Sequence, residues 1–177
     1  YHSGAKFDYS TKEFSFGIAA VDSVFPGAKG FFEGDREFSD DIGIEAMFSY
    51  TGVKDLTVFA GIAYEDTDKS PTKVKIFNLW ASYAVNANVT LGGEFITQDD
   101  GGTGWLGFLG YKFDDKFSTA FRISTDKRDA GGNDQKYTVA PTYTVSPNLS
   151  LRAELSIGRG DNYGDYNFVG VQAVLKF

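Results

Sequence analysis

Apolar residues alternate with small or polar ones, at a period of two, in segment after segment of this chain. Over 149–157, Leu149, Leu151, Ala153, Leu155 and Ile157 fall on one side, and Ser150, Arg152, Glu154 and Ser156 on the other. Over 41–50, Ile42, Ile44, Ala46, Phe48 and Tyr50 oppose Gly43, Glu45, Met47 and Ser49. A strand puts successive side chains on opposite faces, so this alternation predicts β-strands with one apolar face each. The predicted strands are 13–22, 41–50, 56–64, 74–84, 89–96, 105–113, 117–124, 136–144, 149–157 and 168–177, with a further segment at 3–9. Strand 74–84 is the least regular, because Trp80 falls on its polar side, and Pro141 predicts a weak ladder position.

Short turns and longer connections alternate between these segments. Ser10 to Lys12, Thr51 to Asp55, Val85 to Asn88, Asp114 to Lys116 and Val145 to Asn148 are tight. Ser23 to Asp40, Glu65 to Lys73, Thr97 to Gly104, Thr125 to Gln135 and Gly158 to Asn167 are longer and rich in Asp, Gly and Asn. The pattern predicts an antiparallel meander of hairpins, with a unit that recurs about every 28–33 residues at Tyr50, Tyr83, Tyr111 and Tyr143. A chain of 177 residues suffices for one domain, expected to span 1–177.

The polar face decides what the apolar face meets. A water-exposed exterior would carry Lys, Glu, Thr and Arg at most positions. Here it carries Gly17, Ala19, Gly43, Gly61, Ala63, Gly92, Gly110, Ala120, Ala140 and Gly170, which suit a crowded interior. The charges on it are mid-strand and of both signs: Glu45, Glu94, Arg122, Arg152 and Glu154. A basic residue facing lipid costs roughly 2–4 kcal/mol at the bilayer midplane, whereas a wet lumen keeps it hydrated or paired. Aromatic residues flank the apolar band at both ends. Phe14, Tyr50, Tyr83, Phe113, Phe117 and Tyr143 lie at the tight-turn end, and Tyr64, Phe95, Trp105 and Tyr137 at the other. Such girdles mark the two interfaces of a membrane-spanning barrel.

Composition excludes other classes. The chain has no Cys, so it has neither disulfides nor thiolate metal sites. A net charge of -7 argues against nucleic acid as a partner. His2 is the one histidine, at the frayed start, so histidine acid–base catalysis is disfavoured and no enzyme activity is expected. No apolar run approaches the roughly 18–20 residues of a membrane helix. The chain opens on Tyr1 rather than Met, which predicts processing or truncation.

The final strand, "FVGVQAVLKF", ends in Phe177 with Leu175, Ala173, Val171 and Val169 alternating behind it. With this terminus the chain resembles bacterial outer-membrane β-barrels of the porin-like kind. The resemblance implies an all-β, antiparallel up-and-down transmembrane β-barrel in the bacterial outer membrane. Its partners would be outer-membrane lipid, small solutes or ions, and a homo-oligomer or partner protein; it implies no cofactor and no metal. Tight turns would face the periplasm and longer loops the outside. The chain "AKFDYSTKEFSF" is similar to the turn in "YKFDDKFSTAF", so 3–9 is expected to add a strand to the ten counted from residue 13. Even strand numbers in this class leave two readings: a ten-stranded barrel with residues 1–12 as a periplasmic tail, or the C-terminal portion of a barrel of twelve or more strands, the second being preferred.

The implied function is a channel for passive diffusion of small hydrophilic solutes or ions, lined by Glu45, Glu94, Arg122, Arg152 and Glu154. In porins a long acidic loop folds into the lumen. By that likeness Glu33, Asp35, Arg36 and Glu37 form a constriction whose acids oppose Arg122 and Arg152 and set a transverse field. The alternative is a non-conducting structural or partner-binding barrel, plugged by ion pairs among the same lumen charges. The acidic loops lack the spacing of a calcium site. Arg159-Gly160-Asp161 matches a short adhesion tripeptide, at a length where chance matches are common.

Overall fold

A computed structural model describes residues 4–21, 24, 42–66, 73–99 and 101–176. Among these residues, eleven strands form one sheet in which each strand neighbours the next in sequence. They are β1 (Gly4–Ser10), β2 (Phe14–Val21), β3 (Gly43–Tyr50), β4 (Leu56–Asp66), β5 (Lys73–Ala84), β6 (Val89–Gln98), β7 (Gly102–Lys112), β8 (Phe117–Lys127), β9 (Asn133–Ser146), β10 (Leu149–Gly160) and β11 (Tyr166–Leu175). The segment at 3–9 is thus a strand, and the up-and-down order matches the hairpin reading. Among the described residues there is no helix. Contacts group the chain into two units, Tyr1–Trp80 with Ile96–Gly101, and Ala81–Phe95 with Gly102–Phe177.

In the first unit, rows of cross-strand partners fix the two faces. Lys6 opposes Ala19, Ala19 opposes Glu45, and Glu45 opposes Ala63. Directly opposed residues share a face, so this row is polar and small. The next row is apolar: Phe7, Ile18, Ala46 and Ile62. Phe7, Ile18 and Ile62 are half exposed although nothing about them is polar. The irregular strand β5 also resolves. Trp80 stacks on Phe59, with ring centroids 5.8 Å apart, so both aromatics lie on the polar face.

The second unit repeats the arrangement. Phe108, Arg122, Thr138, Ser156 and Phe168 form one polar-face row, and Leu109, Phe121, Val139, Leu155 and Val169 the neighbouring apolar row. Val169 and Val171 are 72% and 80% exposed, so among the described residues nothing covers this face at β11. Contiguous apolar exposure on this scale requires a lipid or partner surface. Phe117 opposes Tyr143, and Phe113 stacks on Phe117 at 5.0 Å, building the aromatic border at the tight-turn end. At the other border the Tyr64 and Tyr137 hydroxyls donate to Asp66 and Gln135, each two residues further along the same face. Pro141 keeps its place opposite Thr119 on β8, but the ladder with β10 skips from Thr142 to Val139.

Four tight turns share one device. A side-chain oxygen at the first turn position accepts from backbone N–H groups ahead of it. Thr11 Oγ1 holds the N–H groups of Glu13 and Phe14, and Asn86 Oδ1 those of Asn88 and Val89. Asp114 Oδ1 holds Lys116 and Phe117 at 2.7 and 2.8 Å, and Ser146 Oγ holds Asn148. These are Asx- and Ser/Thr-turns, which satisfy amides that the ladder leaves over. The backbone N–H groups of Lys116 and Phe117 hold the Asp114 carboxyl below its ordinary pKa. A depressed folded-state pKa stabilises the fold above the unfolded value, and that contribution disappears as pH falls through the folded value. Asn in its place keeps the turn, as at Asn86, but removes the charge. The denaturation midpoint of Asp114→Asn should therefore sit slightly below wild type at pH 7. The gap should close on acidification below the carboxylate range; a gap constant from pH 7 to pH 2 would refute the assignment.

At the opposite end the strands run further than the apolar alternation does. The connections are 99–101, 128–132 and 161–165, shorter than the expected 97–104, 125–135 and 158–167. Lys127 still pairs with Asn133, and Gly160 with Asp134. Above the aromatic border both faces meet water, so the alternation ends while backbone hydrogen bonding continues. Gly102 makes one of these shortened turns, with φ 127° and no room for a Cβ beside the Lys127 carbonyl.

Candidate pore wall

The polar face of β8, β9 and β10 carries a charged cluster built by register. Arg122 opposes Thr138, and Thr138 opposes Ser156. Glu154 lies two residues from Ser156 and hence on the same face. Its carboxylate accepts from three groups. Arg122 Nη2 is 3.0 Å from Oε2, and Lys136 Nζ is 3.1 Å from Oε1. Ser156 Oγ donates to Oε1 at 3.0 Å, and a 2.9 Å hydrogen bond joins it to Thr138 Oγ1. Both hydroxyl residues are buried beneath the charged side chains. Lys136 Nζ also stands 5.8 Å from the centre of the Phe168 ring.

Two cations on one carboxylate leave the cluster one charge positive. Arg152, two residues nearer the tight turn, adds another; its Nε donates to Thr142 Oγ1 at 3.3 Å. The ion pairs join neighbouring and next-neighbouring strands, so they run along the wall. Their side chains are 26–39% exposed, which leaves the charges in reach of solvent. Ion pairs this exposed contribute at most about 1 kcal/mol each to stability, so their main effect is the local field.

Of the residues singled out in the sequence, Arg122 and Glu154 are therefore in contact, with Arg152 on the same face. Glu45 lies on the polar face of the first unit, beside Ala19 and Ala63. Glu94 lies on β6 in the same alternation as Gly92. Glu33, Asp35, Arg36 and Glu37 lie outside the described residues. Two participants were missed. Lys136 shares the parity of Thr138, which would have found it. Glu65 continues the alternation of Gly61 and Ala63 but was assigned to a loop. It is 1% exposed, and its Oε2 accepts from the Val24 N–H at 2.7 Å.

Val24 packs beside Val21 and over Gly43, which places its side chain on the polar face. The Arg159-Gly160-Asp161 tripeptide spans the end of β10 and the first residue of the turn after it. Arg159 pairs with Asp165, and Asp161 accepts from the Asn133 N–H, which ties the carboxylate into the neighbouring hairpin. Among the described residues no group of three His, Cys, Asp or Glu side chains converges for a metal ion.

A family model described as Gram-negative porin matches residues 2–164. No curated protein matches the chain in sequence. Solved structures resemble it at low identity. The KdgM porin is 13% identical with a TM-score of 0.53, over 100% of this chain and 95% of that one. The NanC porin is 11% identical with a TM-score of 0.59, over 97% and 91%. A porin refined at 1.8 Å resolution is 14% identical with a TM-score of 0.67; the match covers 98% of this chain but only 61% of that one. At these identities the likeness concerns the fold: up-and-down strands of an outer-membrane barrel.

Proposed function

The chain belongs to the Gram-negative porin family, and from that premise we propose that it is a passive channel for small hydrophilic solutes and ions, with its polar face as the pore wall. Residues 1–177 then contribute to one barrel domain of the bacterial outer membrane. The observation that carries the reading is the solvent-reachable cluster of Arg122, Lys136 and Glu154 on the polar face, above the small buried residues Thr138 and Ser156. Charges set along a wall of small residues leave room for water and bias which ions enter. The net positive cluster, reinforced by Arg152, favours anions. In this reading Glu45 and Glu94, on the polar faces of β3 and β6, contribute to the lining as well. The chemistry needs no nucleophile or proton relay, in keeping with a channel and not an enzyme.

The plugged, partner-binding alternative draws on the same ion pairs. A plug needs bonds across the lumen, whereas these pairs join β8, β9 and β10 side by side. The deciding experiment is single-channel recording of the refolded full-length protein in a planar bilayer under a salt gradient. Stable conductance steps with a reversal potential on the anion side are expected. Folded, heat-modifiable protein that inserts without conducting would replace the channel by the plugged barrel.

A further inference from the structure

The polar face of the first unit has a cavity of about 280 Å³ that the channel reading leaves without a role. Its floor is Gly17, Ala19, Gly61 and Ala63. These residues come from β2 and β4 and flank Glu45 and Met47 of β3, which complete the same two polar-face rows. Phe59 and Ile76 give it apolar walls. The Phe59 ring lies over Gly61 and stacks on Trp80, which holds it in place.

Two opposite charges border this apolar floor. Lys6 and Glu45 lie in one row, with Ala19 between them. Strands are about 4.8 Å apart, so their backbones are roughly 10 Å apart. Both side chains are long enough to lean over the single methyl of Ala19. Lys6 pairs with Asp8 at 3.0 Å, but those side chains are 56% and 48% exposed. Such a pair is weak and exchanges readily for another carboxylate.

A cation and an anion flanking a small apolar hollow match a solute with the same three features. We propose that this cavity is a binding subsite for zwitterionic α-amino acids with apolar side chains. The solute carboxylate pairs with Lys6, its ammonium with Glu45, and its side chain fills the hollow over Ala19 and Ala63. The volume lies just under the usual range for drug-sized ligands, which suits a single amino acid. The subsite rests on the reading of the polar face as a lumen, since only there does it lie on a solute's path.

Isothermal titration of the refolded full-length protein in detergent micelles with L-leucine tests this without relying on conductance. Saturable binding in the millimolar range is expected. It should weaken at least fivefold for 4-methylpentanoate, which lacks the ammonium, for isoamylamine, which lacks the carboxylate, and for glycine, which lacks the side chain. Glu45→Gln and Lys6→Met should each weaken leucine at least fivefold, and Ala63→Phe should abolish binding by filling the hollow. Equal binding of leucine and all three analogues, or none by leucine, would overturn the subsite whether or not the variants fold. Leucine binding by a protein that passes no current would support the subsite and overturn the channel instead.

Discussion

Arginine at position 171 should destabilise the folded protein in lipid by about 2–4 kcal/mol, while arginine at position 172 should change stability by less than about 0.5 kcal/mol. Val171 and Gln172 are adjacent on β11 but face opposite ways. Val171 opposes Ala153 in the middle of the apolar band, and Gln172 opposes Arg152 on the polar face. Val171 is 80% exposed, so in water the charge would meet no obstacle. The predicted cost comes wholly from hydrocarbon. Urea unfolding from phosphatidylcholine vesicles, followed by tryptophan fluorescence, compares the two variants. Equal stabilities would mean that the apolar face does not meet lipid.

Charge reversal at Arg122 should shift the ion preference strongly toward cations. Arg122, Lys136 and Glu154 sum to one positive charge, and Arg122→Glu makes that one negative. At about 7 Å in water a unit charge shifts a passing ion by ~0.6 kcal/mol, so a change of two charges shifts each ion by ~1.2 kcal/mol. The shifts have opposite sign for the two ions, so the permeability ratio of chloride to potassium should then fall by roughly 50-fold at low salt and less at high salt, through screening. Glu154→Gln should move the ratio the other way by roughly half as much in free energy. Reversal potentials under a KCl gradient read both. Two shifts of the same sign, or none, would remove this cluster from the conduction path.

Most of the architecture was legible because lipid on one side and a crowded lumen on the other impose the alternation directly on the chain. Where that constraint stops, legibility stopped too. The residues 125–127 and 133–135 read as loop because polar side chains stand on both faces, yet Lys127 and Asn133 still pair. The wall charges were legible one at a time, by parity. Their contacts were not: whether Arg122 reaches Glu154 depends on the registers of β8 with β9 and of β9 with β10, which no local pattern encodes. Lys136 was passed over at the mouth of its strand, beside a loop, although its parity matched. Glu65 was lost to the loop assignment, and only the fold shows it buried against the Val24 amide.

The Thr11, Asn86, Asp114 and Ser146 turns each close a hairpin from within, using an oxygen supplied by the turn itself. No distant residue is needed to make the chain reverse. Each of these four hairpins is therefore an interchangeable stave, carrying its own bend and its own inside and outside. Barrel diameter grows with strand number, so duplicating or deleting one such pair would change the bore by a fixed step. The strands on either side would keep their direction, and their side chains would keep facing the same way.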